Sequence, residues 1–453
     1  MPRFTDTIAA LATPVGTAAI AMLRVSGTES ARLAQEILGE TPLPRVARHG
    51  DYRTRDGVLV DDVLFTCFLG PHSYSGEDSL EVSCHGNPFI AQRILEDLFS
   101  RGCRPAEPGE FTQRAFLNGR MDLSQAEAVM DLIHARSERA LAAANQQLRG
   151  ALGKQMGGLV DALLGVLARV EAYIDFPEED LPPEDRGMMV RELERLSRET
   201  DRLLATSHYG AMLRDGIKTV IVGPPNVGKS SLLNRLVGRE RALVSPEPGT
   251  TRDFIEERIM VGPHSLRIID TAGLNVSPAA LEKLGIAKTF ERVAEADLLL
   301  LVLDAARPAV VLPDELLARI HARSALVLLN KIDLAADAVA PAGLMDRGVA
   351  TIRISARTGA GLTDLVEAIT QRADLFQLDV GGEIIAISAR HAHILTQARE
   401  WLREAQAKLR GHGPVELLAS DLRGVLAAYG EIVGKVDNEQ VLDQLFASFC
   451  IGK

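Results

Sequence analysis

The sequence predicts a multidomain protein: an N-terminal α+β domain, a central α-helical bundle, and an α/β P-loop nucleotide-binding domain inserted into that bundle. Three observations carry this. Segment 223–230, Gly-Pro-Pro-Asn-Val-Gly-Lys-Ser, is a phosphate-binding loop between an apolar strand and a helix. Helical stretches rich in Ala and Leu lie on both sides of it, at 124–213 and 391–446. Ahead of these, residues 1–118 alternate short β-like runs with Gly and Pro punctuation.

At 453 residues the chain exceeds one ordinary core, and we place domain limits at 1–118, 119–214, 215–376 and 377–453, the second and fourth pieces forming one helical domain. A hydrophobic share of 46% with only 4% aromatics points to helix packing built from Leu and Ala. Cys67, Cys84, Cys103 and Cys450 lack paired spacing, so neither a zinc site nor a disulfide framework is expected. A reducing cytosol fits. The start carries Thr5, Asp6 and Thr7 rather than a basic, apolar leader, and the longest apolar run, 298–303, is far too short to span a membrane. The expectation is a cytoplasmic protein. A net charge of −11 argues against nonspecific coating of nucleic acid and leaves any RNA contact to a local patch.

In chain order, residues 8–12, 18–25 and 58–68 read as strands, with Arg55, Asp56 and Gly57 as a turn before the third. Segments 71–86 and 108–128 are dense in polar groups beside glycines and, taken alone, read as structured loops with capping residues. Ser124 and Glu127 have capping-box spacing at the first bundle helix. Prolines in 176–183 interrupt the helical run, which resumes at 188–204. In the inserted domain, strand-like runs precede each motif: 220–222 before the phosphate loop, 266–270 before Asp-Thr-Ala-Gly, 325–329 before Asn-Lys-Ile-Asp, and 351–354 before Ser-Ala. Ligands bind at such carboxyl ends of strands in open parallel sheets.

The residue types fit one ligand. Backbone N–H groups of Asn226, Val227, Gly228 and Lys229 would wrap phosphates at a helix N-terminus, next to Ser231. Lys229 would reach the outer phosphates, and Ser230 would offer its hydroxyl to magnesium, with Thr251 closing the other side. Asp270 would hold the metal, and Gly273, after Thr271 and Ala272, would donate to the terminal phosphate. Asn330, Lys331 and Asp333 would select the base: a carboxylate accepts two N–H bonds from guanine, and adenine lacks that pair. This predicts GTP, with Ser355, Ala356 and Arg357 in the supporting loop.

These motifs resemble the translation-factor-like small GTPases, except that Leu274 stands where many carry a water-orienting Gln. Glu282, shortly downstream, is the candidate to replace it. Over its whole length the chain resembles the MnmE (TrmE) family of tRNA-modifying GTPases. The resemblance rests on Ala12-Thr-Pro, Leu23-Arg-Val-Ser-Gly, Tyr74-Ser-Gly-Glu-Asp, His85-Gly, the 108–128 stretch, the inserted GTPase domain and the terminal Cys450-Ile-Gly-Lys.

The resemblance implies addition of an aminomethyl or carboxymethylaminomethyl group at carbon-5 of the wobble uridine of certain tRNAs. The work is shared with a flavoprotein, MnmG (GidA), which carries FAD and completes a heterotetramer. It also implies a homodimer through the N-terminal domain, and a 5-formyl- or 5,10-methylene-tetrahydrofolate site at Arg24, Glu81, Arg120 and Lys453. Some members carry Lys where this chain has Arg120. Potassium would be held by Asn226 and the loop Ser245, Pro246, Glu247, Pro248, Gly249 and Thr250, with Ser245, Glu247 and Thr250 as ligands. Glu282 would orient the attacking water, and Cys450 is a candidate in the modification chemistry. The main rival reading is a ribosome-assembly or RNA-binding GTPase switch of the Era or Der type; a folate enzyme with an inactive nucleotide domain is disfavoured by the intact Lys229, Ser230, Asp270 and Asp333.

Overall fold

A computed structural model describes residues 5–40, 42–175, 183–240, 256–270, 292–307, 312–339, 341–378, 385–411, 413–434, 442, 445–447 and 449–452. The chain divides into two compact units: Met1–Met130 with Gln147–Leu164 and Leu426–Lys453, and Asp131–Gln146 with Gly165–Val425.

The first unit is built on a six-stranded mixed sheet of β1 (Ile8–Leu11), β2 (Ile20–Ser26), β3 (Arg48–Arg53), β4 (Leu59–Phe68), β5 (Ser79–His85) and β6 (Arg104–Pro105), in the order β3-β4-β5-β2-β1-β6. Side chains alternate along the central strands. Leu80, Val82 and Cys84 of β5 and Ala21, Leu23 and Val25 of β2 are buried in a core shared with Leu33, Ile94 and Leu98 of helices Ser30–Leu38 and Pro88–Ser100. Arg24 and Glu81 lie opposite each other on the other face. The backbone approach at the sheet ends is close: a Cβ on Gly86 would stand 2.3 Å from the carbonyl oxygen of Ala18.

Two sequence expectations change here. Segment 71–86 is not all loop, since its second half is the central strand β5, and 108–128 contains the helix Glu110–Leu117 and the start of Leu123–His134. The capping pair is also shifted: Asp122 Oδ1 accepts from the Gln125 amide at 2.9 Å, and Gln125 Oε1 accepts from the Asp122 amide at 2.9 Å. Ser124 instead donates to Asp122. The helix begins at Leu123, so Asp122 is the residue whose carboxylate can face the open amides.

Arg114 is wholly buried and bonded to Asp6, Glu77 and Glu110. A buried guanidinium needs such partners. Glu77 also accepts from Ser26, whose hydroxyl meets that of Ser75 at 2.6 Å, so the Tyr-Ser-Gly-Glu-Asp segment is fastened to β2. The C-terminal segment returns to this unit, where Phe446 and Phe449 pack with Phe116 and Leu123.

The second unit contains a six-stranded sheet of β7 (Ile217–Val222), β8 (Glu256–Val261), β9 (His264–Asp270), β10 (Leu298–Asp304), β11 (Ala325–Asn330) and β12 (Ala350–Arg353), in the order β12-β11-β10-β7-β9-β8. All neighbours are parallel except the β8–β9 hairpin. Leu298 through Leu303 are all buried, as a central strand covered on both faces requires. Alongside it, helices Pro183–Ala205 and Ala389–Arg410 are joined by Gln406, which donates to the Leu193 carbonyl and the Ser197 hydroxyl. Among the described residues no helix is long and apolar enough to cross a membrane.

Candidate functional site

The phosphate loop runs from β7 into the helix Lys229–Glu240. Its shape depends on glycine at two points of close approach. A Cβ on Gly223 would meet the Val302 carbonyl oxygen at 2.1 Å, and one on Gly228 would meet Asn330 Nδ2 at 2.3 Å. Asn226 holds a left-handed φ of 61° without being glycine, and it is exposed. Lys229 Nζ donates to the carbonyls of Gly223 and Pro224, both at 2.8 Å, which carries its ammonium back over the loop. Ser230 is exposed in the first helical turn.

The base-selecting residues are knitted to this loop. Asn330 is buried and donates to the Val227 carbonyl at 2.7 Å while accepting from the Ala356 amide at 2.9 Å, so one side chain bridges three loops. Ser355 Oγ donates to Asp333 Oδ1 at 2.6 Å and accepts from the Thr358 amide. Arg235 reaches the Arg357 carbonyl at 2.7 Å. Lys331, also at a left-handed φ, 68°, donates to the Asn226 carbonyl and to Asp304 Oδ2, both at 2.7 Å. Burial pulls the Asp304 carboxyl upward, but the Lys331 ammonium and the Ala306 amide outweigh it and hold it below 3.8. The sequence reading did not single out Asp304 as the partner of Lys331. Its position at the carboxyl end of β10, beside β11, was the available signal.

Of the other expected residues, Asp270 closes β9. Ser245, Pro246, Glu247, Pro248, Gly249, Thr250, Thr251, Thr271, Ala272, Gly273, Glu282 and Lys453 lie outside the described residues.

In the first unit, Arg24 donates from Nε and Nη2 to Glu81 Oε1 at 3.0 and 2.8 Å, and from Nη1 to the Gly452 carbonyl at 3.5 Å. The guanidinium lies over the rings of Tyr74, at 5.2 Å, and Phe111, at 5.8 Å. Tyr74 and Phe111 lie in segments the sequence reading named, but neither was assigned to Arg24, because their convergence depends on tertiary structure. Arg120 is exposed and is not bonded to this pair among the described contacts. Its stem packs on Gly76, and it borders a cavity of about 410 Å³ with Asp122, Gln125 and Met156. Cys450 is exposed, and its carbonyl accepts from the Gly109 amide at 3.3 Å. Burial pushes the thiols of Cys67, Cys84 and Cys103 up to about 11, which leaves them as inert core groups.

The parallel sheet, the glycine-dependent phosphate loop and the Asn-Lys-Ile-Asp and Ser-Ala loops tied to it define a P-loop GTPase. The remainder of the chain is equally specific. A family model described as the MnmE helical domain matches residues 123–450, and one described as the GTP-binding protein TrmE N-terminus matches 7–120. A protein of Opitutus terrae is 60% identical over 100% of both chains, and one of Akkermansia muciniphila is 45% identical over 99% of both. A third, from Marinobacter nauticus, is 40% identical over 100% of both chains, and all three are named tRNA modification GTPase MnmE. This chain belongs to the MnmE family.

Proposed function

We propose that this chain is a potassium-dependent GTPase that, with the flavoprotein MnmG (GidA), modifies carbon-5 of the wobble uridine of certain tRNAs using a tetrahydrofolate one-carbon unit. The observation that carries the nucleotide part is Asp333, fixed by Ser355 beside Asn330, which itself bridges the phosphate loop and Ala356. The Asp333 carboxylate accepts from the N1–H and 2-amino group of guanine, while Asn330 holds the base loop against the phosphate loop. Lys229 supplies positive charge to the outer phosphates, where charge builds during phosphoryl transfer. Backbone amides at 226–229 serve the same phosphates at a helix N-terminus. Glu282 orients the attacking water in this reading.

Ser230, with Thr251, suits magnesium, which neutralises phosphate charge when bound. Asn226 is an exposed amide at the head of the loop and, with Ser245, Glu247 and Thr250, suits a potassium ion, which adds the positive charge that an arginine finger supplies elsewhere. The folate reading rests on the Arg24–Glu81 pair. Both Arg24 donors go to Glu81 Oε1, Oε2 has no partner among the described residues, and Tyr74 and Phe111 add aromatic surface. A carboxylate so held can accept from the aminopyrimidine edge of a pterin, and Arg120 and Lys453 suit its anionic tail. Cys450, exposed at the tail, is a candidate in the modification chemistry. Homodimerisation through the N-terminal domain, the heterotetramer with MnmG and the domain limits at 118, 214 and 376 belong to the same reading.

The match of 7–120 to the TrmE N-terminus favours this reading over an Era- or Der-type switch. The test is base specificity. Xanthine bears a carbonyl where guanine has its 2-amino group, and an amide can donate to it. Asp333→Asn is expected to raise the KM for GTP at least about tenfold and to confer hydrolysis of xanthosine triphosphate. Unchanged GTP kinetics in this variant would remove Asp333 from base recognition.

A further inference from the structure

Two residues of the nucleotide site that are not glycine hold left-handed backbones, Asn226 at φ 61° and Lys331 at φ 68°, and they are joined to each other. The conformation is costly for Lys and milder for Asn, and a single geometry persists where surrounding contacts hold it. The joining group is the Lys331 ammonium, 2.7 Å from the Asn226 carbonyl oxygen and 2.7 Å from Asp304 Oδ2. Asp304 is itself braced. Its Oδ1 accepts from the Ala306 amide at 2.9 Å, and the Ala305 amide donates to the Asn330 carbonyl at 2.7 Å, which ties the end of β10 to the base-selecting loop.

We infer that Asp304 is a positioning residue that acts through Lys331 to hold Asn226 in its left-handed conformation, and so sets the protein's response to the monovalent cation. The inference rests on the potassium reading above. Asp304 needs no contact with nucleotide or ion for this. It fixes the ammonium, and the ammonium fixes the carbonyl of the residue whose side-chain amide would bind potassium. Preorganisation of this kind lowers the cation concentration needed without adding a ligand.

Asp304→Asn tests this cleanly. With the amide oxygen kept on Ala306 the NH₂ group cannot accept from Lys331, and with the amide turned over the negative charge that holds the ammonium is still gone. GTP hydrolysis by the full-length protein is titrated with KCl at constant ionic strength, with NaCl as balance, for the wild type, Asp304→Asn and Asp304→Glu. Binding of a fluorescent GDP in NaCl serves as the control for an intact nucleotide site. The expected result is a half-saturating potassium concentration raised about tenfold in Asp304→Asn, equivalent to about 1.4 kcal/mol of positioning. GDP affinity should change less than about threefold, and Asp304→Glu should recover part of the shift. A wild type stimulated by potassium, with an unmoved half-saturation in Asp304→Asn, would overturn the inference alone. A wild type equally active in sodium and potassium would overturn both the inference and the potassium reading. Equal losses of GDP binding and of activity in Asp304→Asn, with potassium half-saturation unchanged, would reduce Asp304 to a structural residue and also overturn the inference.

Discussion

At the scale of single residues, the consequences follow from where charges are buried. Arg114 has no exposed surface and three carboxylate partners, so Arg114→Met removes the charge that compensates Asp6, Glu77 and Glu110. The expected cost is about 3–5 kcal/mol, read as faster amide exchange in β2 and β5. Burial pulls Asp6 and Glu110 upward, but Arg104 and Arg114 outweigh it and hold both below their ordinary 3.8 and 4.5. A carboxyl lowered on folding contributes stability that is full above its unfolded value and lost as pH falls through the folded one. Protection of these amides should therefore be flat above 4.5 and fall below it, and the fall should be shallower in Arg114→Met. The residues legible in the sequence were those whose role is local. Lys229, Ser230, Asn330 and Asp333 announce themselves within four- to eight-residue motifs, whereas the contact of Arg24 with Gly452 joins positions 428 apart.

At the scale of elements, the pattern explains both success and failure. The run 298–303 was readable as a buried strand because it is apolar throughout, and β10 is buried on both faces. Leu300→Ala at its centre should cost about 2–5 kcal/mol, measurable as a lower midpoint for the transition that abolishes GDP binding. By contrast β5 hides within a polar segment. Its Leu80, Val82 and Cys84 alternate with Glu81, Ser83 and His85, a two-residue period that the surrounding Ser and Gly residues obscure. The cap at 122 was missed for a related reason: Ser124 and Glu127 have the right spacing, but the helix starts one residue before Ser124, and only the Asp122–Gln125 pair meets the open amides. Asp122→Ala should destabilise this helix by about 1 kcal/mol, seen in the thermal midpoint, while Ser124→Ala should cost less.

At the scale of the whole molecule, the order of pieces carries the function. An α+β unit whose sheet presents Arg24 and Glu81, helical stretches before and after a GTPase sheet, and a tail that returns to Arg24 place a half-buried ion pair and a GTPase site in one chain. That architecture was legible because the phosphate loop interrupts two Ala- and Leu-rich helical stretches. The convergence of Tyr74, Phe111 and Gly452 on Arg24 was not, because no local pattern encodes it. The central claim is that this GTPase acts in modification of the wobble uridine, and the most direct measurement is mass spectrometry of nucleosides in total tRNA. A strain lacking the protein is compared with the same strain after the gene is restored. The account predicts loss of the carbon-5 substituent of the wobble uridine in the first and its return in the second. An unchanged wobble uridine in the strain without the protein would contradict it.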